Sequence, residues 1–185
     1  MKRWYVSVCL AILLVATGLR FYHLDTQSFW NDEGNTARLV ERSVALIIEG
    51  AAGDIHPPGY YLLLHVWRVF AGESEFALRA FSALCGVLTV AVAAAAGRYV
   101  GGQRVSLGAA LIMAFHPLAV YYSQEARMYA LLGLASALTL WAGMRIANYE
   151  LRITYHASRI TPHVLLLALT IALGLYTQYA YIFVL

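Results

Sequence analysis

The chain has 185 residues and a net charge of +3, with 61% apolar residues, 12% charged residues and a mean hydropathy of +0.65. Soluble globular domains are usually about 45–50% apolar and about 25% charged, so this composition excludes an ordinary soluble domain and favours a protein of the lipid bilayer. No Lys/Arg-rich run occurs, which argues against nucleic acid as a partner. Cys9 and Cys85 lie in apolar segments without disulfide or metal spacing, and we interpret both as packing residues.

Five apolar segments are predicted to span the membrane, since a helix needs about 20 residues to cross the hydrocarbon core. The candidate spans are 4–22, 76–97, 105–122, 126–146 and 163–185. The first is interpreted as an uncleaved helix, because no small-x-small cleavage site follows it. The last runs to Leu185 without a polar flank, so we expect residues 1–185 to be the N-terminal part of a longer protein or an isolated N-terminal module. The predicted fold class is all-α, a polytopic membrane helix bundle.

A sixth apolar stretch, 58–71, is shorter and decides the topology. If it lies in or dips into the outer leaflet without crossing, the arginines of 98–104 and 147–162 fall inside, and nine of the ten acidic residues fall outside in 23–75 and 117–125. The positive-inside rule favours this arrangement. The sequence therefore predicts a multi-pass protein of the plasma (inner) membrane with a large external loop.

The external loop 23–75 is predicted to contain helices that lie along the membrane surface. From Leu39 to Ile48, apolar residues recur at helical spacing on one face. Asn31 or Asp32 is expected to cap the first turn of this helix, and Gly50–Gly53 is expected to end it.

Asp32 and Glu33 are adjacent carboxylates at the start of that helix. One interpretation is an acidic pair that favours the helix dipole. The other is a general base, because the dipole keeps a carboxylate ionised and ready to accept a proton from an attacking hydroxyl.

The segment Asp54-Ile55-His56-Pro57-Pro58 is a second candidate. Proline fixes φ and restrains the residue before it, so a rigid turn is predicted. Asp54 and His56 either satisfy turn amides or help to hold a phosphate or an ion in place.

The third candidate is the polar segment between two spans that contains Gln124, Glu125 and Arg127. Such residues are either interfacial anchors or functional groups, and an arginine here can bind the phosphate of a lipid carrier. Arg79 either snorkels or pairs with a nearby glutamate, or it faces the site. No cofactor is assigned. A divalent metal ion stays open, with Asp32, His56 and Glu125 as the available ligand types, although their spacing gives it no support.

Four motifs together resemble the polyprenyl-phosphate-sugar-dependent glycosyltransferases of the GT-C superfold. The motifs are Arg20-x-x-x-Leu24-Asp25-x-x-Ser28-x-Trp30-x-Asp32-Glu33, His56-Pro57-Pro58-x-Tyr60-Tyr61, Phe76-Ala77-Leu78-Arg79-Ala80-Phe81-Ser82-Ala83-Leu84 and Tyr122-Ser123-Gln124-Glu125-Ala126-Arg127-Met128-Tyr129. They are most similar to the bacterial branch with the Rgt-type transferases. Protein O-mannosyltransferases and the lipid A aminoarabinose transferase are more distant relatives.

The resemblance implies a polyprenyl-phosphate-linked sugar donor, an external active site and inversion at the anomeric carbon. By position, Asp32 matches the catalytic aspartate with Glu33 beside it, and His56 borders the donor site. Glu125 and Arg127 match an acidic residue of the second external loop and its basic neighbour. The expected acceptor is a hydroxyl of a glycan, lipid or protein.

Two other classes of protein are weighed against this enzyme. A transporter is expected to place ionisable residues near the midplane of broken helices, whereas the acids here gather at the interface. A non-catalytic envelope-assembly protein explains the spans but has no need for the motifs around Asp32, His56 and Glu125.

Overall fold

The computed structural model describes residues 3–53, 56–151 and 157–185, and it describes the side chains within these ranges except those of 148–151 and 157–161. Asp54 and Ile55 of the predicted turn and Arg152 of the predicted cytoplasmic loop lie outside the described residues, as does the side chain of Arg159. The elements are α1 Arg3–Phe21, α2 Asn31–Val40, α3 Val44–Ala52, α4 Gly59–Ala71, α5 Glu75–Phe115, α6 Pro117–Ser123, α7 Tyr129–Leu151, α8 Ala157–Thr177 and a 3₁₀ helix Tyr179–Val184.

The predicted all-α membrane bundle is confirmed. Every element within the described ranges is helical, and three helices are long and apolar enough to cross a membrane. Those three segments are Arg3–Phe21, Glu75–Phe115 and Tyr129–Ala147.

Helix α5 doubles back on itself at Gly101 and Gly102. Both glycines leave helical geometry, and Gly102 has φ +75°, a conformation that residues with a Cβ rarely adopt. The Ser106 hydroxyl donates to the Ala94 carbonyl at 2.6 Å, although twelve residues of straight helix would separate them by about 18 Å. The two arms of α5 therefore form an antiparallel helical hairpin, with its bend inside the predicted loop 98–104.

Helix α1 packs along this hairpin and is bonded to it at both ends. Near its start, the hydroxyls of Tyr5 and Ser106 lie 2.7 Å apart. Near its end, the fully buried Arg20 donates to the carbonyls of Met113 and Ala114, at 3.0 and 3.2 Å. These carbonyls belong to the last turn of α5, where an arginine satisfies orphan acceptors and favours the helix dipole.

The predicted surface helix is two helices, α2 and α3, separated by residues 41–43. The Val40 carbonyl, which would accept from the Val44 amide in a continuous helix, instead bonds the Nδ1 atom of His65 at 2.7 Å. The expected caps are wrong: Trp30 holds the N-cap position, without a side-chain cap bond. The end of α3 is close to that expected, with Gly53 as its C-cap.

Two of the predicted spans end at different residues from those expected. The segment 105–122 is interrupted after Phe115, because Pro117 has no amide hydrogen to donate and starts α6 instead. The segment 163–185 is α-helical only to Thr177 and continues as the 3₁₀ helix Tyr179–Val184. The chain then turns so that Tyr181, fully buried, packs its ring against Gly174.

The stretch predicted to dip into the outer leaflet forms α4, Gly59–Ala71. At 1.5 Å per residue its 13 residues extend roughly 20 Å, less than the hydrocarbon thickness. Tyr60, Tyr61 and Leu64 are buried against the rest of the bundle, and Val69 and Phe70 are exposed on the outside. Its depth in the membrane stays a prediction.

Gly59 is expected to be essential for seating α4 against α8. A Cβ added at Gly59 would lie 2.5 Å from the Tyr176 carbonyl oxygen, whereas one added at Gly108, inside α5, meets nothing within 4 Å. Gly59→Ala should lower the free energy of unfolding by about 1–3 kcal/mol, as overpacking does. Gly108→Ala, the matched control, should be neutral or stabilise by up to about 1 kcal/mol. Thermal unfolding in detergent micelles measures both, and equal midpoints would contradict the packing described.

Candidate active site

A buried ion pair between Glu33 of α2 and Arg79 of α5 lies at the polar end of the bundle. Glu33 is only 1% exposed. Its carboxylate accepts from the Nε and Nη2 atoms of Arg79 at 2.9 and 2.6 Å, and from the Ala126 amide at 2.7 Å. The first loop, α5 and the segment between α6 and α7 are therefore joined at one carboxylate.

All five N–H donors of Arg79 are used. Two bind Glu33, and the other three reach the carbonyls of Leu24, Gln27 and Ser28 at 2.7, 2.7 and 3.3 Å. Arg79 thus fixes the chain between α1 and α2. The partner is Glu33 rather than the nearby glutamates considered from sequence, of which Glu73 instead pairs with Arg68.

Asp32 points to the other side of α2 and keeps an open carboxylate. Its side chain is 41% exposed and lies 3.5 Å from the Nη2 atom of the buried Arg127. Arg127 also lies over the Tyr129 ring at 5.9 Å, and its Nε has no hydrogen-bond partner among the described residues. An arginine with donor capacity left beside an open carboxylate can bind an anionic group next to a base.

Asp32 and Arg127 share a cavity of about 290 Å³ with His56 and Tyr61, which we call the arginine pocket. It is also lined by Asn35, Thr36 and Leu39. These three residues and Tyr61 are not among the predicted site residues, although Tyr61 belongs to the His56 motif. The spacing 32, 35, 36 and 39 is that of one helix face and marks the α2 wall.

Glu125 lies in a second cavity of about 430 Å³, the glutamate pocket. Its lining is Tyr22, His23, Leu24, Thr26, Gln27, Trp30, Glu33, Arg79, Tyr121, Gln124 and Glu125. Burial raises the pKa of the Glu125 carboxyl, and the Tyr121 hydroxyl hydrogen-bonds it. That bond and the carboxylate charge raise the pKa of Tyr121 in turn.

The six predicted site residues thus gather at one end of the bundle but in two cavities. Asp32, His56 and Arg127 line the arginine pocket, and the other three line the glutamate pocket. The metal ligands considered from sequence are not brought together, since Glu125 lies apart from Asp32 and His56. Over the part of the chain that is described, no three His, Cys, Asp or Glu side chains are grouped to hold a metal ion.

Residues 55–185, more than two thirds of the chain, match the family model described as dolichyl-phosphate-mannose-protein mannosyltransferase. No curated protein and no solved structure matches the chain. The apolar helices and this match define a membrane glycosyltransferase of the GT-C superfold. The chain belongs to the dolichyl-phosphate-mannose-protein mannosyltransferase family. Asp32 and Glu33 precede the matched range, and the Rgt-type branch stays a prediction.

Breaking the buried ion pair should destabilise the fold far more than breaking a surface pair. Glu33→Gln leaves the buried Arg79 charge without its counter-ion and should cost about 3–5 kcal/mol. The control, Glu73→Gln, breaks the Arg68 pair at a side chain that is 60% exposed and should cost about 0–1 kcal/mol. Denaturant or thermal unfolding in micelles checks both, and similar losses would show that Glu33 does not join the loops as described.

Replacing Glu125 by glutamine should stabilise the protein in a pH-dependent way. Because the folded state holds the Glu125 proton more tightly than the unfolded chain does, the buried carboxylate costs stability above its raised pKa. Glu125→Gln should therefore raise the unfolding midpoint at neutral pH, and the gain should vanish as the pH falls below the ordinary glutamate pKa. The exposed Glu49→Gln is the control. A gain that is the same at every pH would argue against burial as its cause.

Proposed function

We propose that this protein transfers a sugar from a polyprenyl-phosphate carrier to an acceptor hydroxyl on the extracytoplasmic side of the plasma membrane, with inversion at the anomeric carbon. The acceptor is a glycan, lipid or protein. Asp32 is the general base, Arg127 binds the carrier phosphate, and His56 borders the donor. Glu33 and Arg79 position these groups.

The observation that carries the proposal is the contact between Asp32 and Arg127. Of the two adjacent carboxylates, that of Glu33 already accepts hydrogen bonds from Arg79 and from the Ala126 amide. The Asp32 side chain is 41% exposed and can still accept a proton. Asp32 lies 3.5 Å from a guanidinium whose Nε is unpartnered among the described residues. This gives one group able to accept a proton and one able to stabilise a departing phosphate, in the same pocket.

The chemistry requires no general acid, because a lipid phosphate is a stable leaving group without a proton. The acceptor oxygen forms a bond to the anomeric carbon as the bond from that carbon to the phosphate oxygen breaks. The acceptor proton passes to the Asp32 carboxylate, and the bonding electrons leave with the phosphate, whose charge Arg127 stabilises. Attack on the face opposite the phosphate inverts the anomeric centre.

Charge distribution along the bundle supports the proposed orientation. At the end far from Asp32, the Arg98 guanidinium lies 4.9 Å from the Tyr5 ring centre and the Arg145 guanidinium 5.5 Å from that of Tyr99. Basic side chains held by aromatic rings at one end, and carboxylates at the other, follow the positive-inside rule when the basic end is cytoplasmic.

Asp32→Asn should abolish transfer while leaving membrane insertion intact. Loss of a general base lowers turnover by roughly 10²–10⁴-fold, and the amide keeps the shape of the side chain. Asp25→Asn, an exposed aspartate of the same loop, is the matched control and should retain activity. The measurement is transfer of labelled sugar from a polyprenyl-phosphate donor to acceptor in oriented membrane vesicles, with protein level and unfolding midpoint as checks on folding. Turnover by Asp32→Asn close to that of Asp25→Asn would reject Asp32 as the base.

A further inference from the structure

The glutamate pocket is suited to a different kind of ligand from the arginine pocket. It is lined by two carboxylates, Glu33 and Glu125, and by one guanidinium, Arg79. Since every donor of Arg79 is already bonded, this guanidinium has none left for an incoming anion. Charge repulsion from Glu125 further disfavours a phosphate here.

Glu125 supplies a hydrogen-bond acceptor in this cavity. It is buried, the Tyr121 side chain lines the same cavity, and Glu125 forms no ion pair of its own among the described residues. A carboxylate has four acceptor positions, so one tyrosine leaves capacity for hydroxyl donors. Hydroxyl groups of a ligand that enters the pocket would satisfy the remaining positions.

Aromatic side chains complete the lining. Tyr22, Trp30 and Tyr121 border the cavity and remain exposed, with Trp30 43% exposed. Their ring faces offer apolar surface to an incoming ligand, and the cavity of about 430 Å³ lies within the usual range for small-molecule sites. Exposed aromatic rings next to the buried Glu125 carboxylate suit a ligand that has an apolar C–H face and hydroxyl groups at its periphery.

We infer that the glutamate pocket binds an uncharged sugar ring, with its C–H face against Trp30 and its hydroxyls donating to Glu125. The inference rests on the proposed function, in which a sugar must be held beside the phosphate-binding Arg127. Two sources offer this chemistry, the sugar of the donor and a sugar of the acceptor. Glu125 and Arg127 are two residues apart in the chain, so the two pockets can hold adjoining parts of the reacting molecules.

Saturation-transfer NMR on the full chain in nanodiscs tests the inference without turnover. The probes are methyl glycosides of glucose, mannose and galactose, observed by saturation transfer, and inorganic phosphate, observed by ³¹P line broadening because it carries no carbon-bound protons. We expect at least one glycoside to receive saturation from the protein. Trp30→Ala should weaken its binding about fivefold, the effect of one aromatic contact. Trp4→Ala, a tryptophan of similar exposure (49%) on α1, is the matched control and should have no effect.

Two further variants separate the pockets. Glu125→Gln keeps the side-chain shape and should also weaken glycoside binding, whereas Arg127→Gln should weaken phosphate binding and leave glycoside binding unchanged. No saturation of any glycoside would overturn the inference. So would equal binding by Trp30→Ala and Trp4→Ala, or loss of glycoside binding in Arg127→Gln alone.

The transfer assay distinguishes the two sources of the sugar. A raised KM for the donor in Trp30→Ala assigns the pocket to the donor sugar, and a raised KM for the acceptor assigns it to the acceptor; both support the inference. If the wild-type protein transfers no sugar at all, the proposed function fails, and the NMR result alone decides whether the pocket binds a sugar ring.

Discussion

The polar end of this protein depends on one buried carboxylate. Glu33 is joined to Arg79 and to the Ala126 amide, and Arg79 in turn binds three carbonyls of the segment between α1 and α2. Removing both charges from water is costly, so the value of such a pair lies in the geometry that it imposes. Here it holds three separate parts of the chain in register, and the distance between Asp32 and Arg127 follows from that arrangement.

Near the Glu33–Arg79 ion pair, residues that are close in sequence line different pockets. In a helix, successive side chains point about 100° apart, so Asp32 and Glu33 face different cavities although they are adjacent. The same separation occurs in the segment after α6, where Glu125 and Arg127 belong to different pockets. Two short runs of polar residues thus produce one pocket around the Asp32–Arg127 pair and one that holds the carboxylates of Glu33 and Glu125. The phosphate site and the sugar site that we propose both depend on this division.

Much of the fold was predictable, because long apolar runs are a strong signal for membrane helices. The bend of α5 lies where Gly101 and Gly102 stand between two such runs. The split between α2 and α3 was not predictable, since it depends on a bond between Val40 and a histidine 25 residues away. The six predicted site residues are brought to one end of the bundle, but how they pair was not predictable. Tertiary contacts decide whether Arg79 pairs with Glu33, Glu73 or Glu75, so the sequence alone does not give the partner. The close contact between Gly59 and the Tyr176 backbone likewise leaves no pattern in the local sequence.

The hairpin of α5 also constrains how the chain enters the bilayer. Arg98 and Arg104 flank its bend, and Arg98 lies against Tyr5 near the start of α1. Moving an arginine through the hydrocarbon costs roughly 2.5–3.5 kcal/mol even on insertion scales. We therefore expect the bend of the hairpin to stay on one side of the membrane while its two arms cross. Because the arms are antiparallel, the Glu75 end and the Phe115 end of α5 both lie opposite the bend, where the first loop and α6 adjoin them.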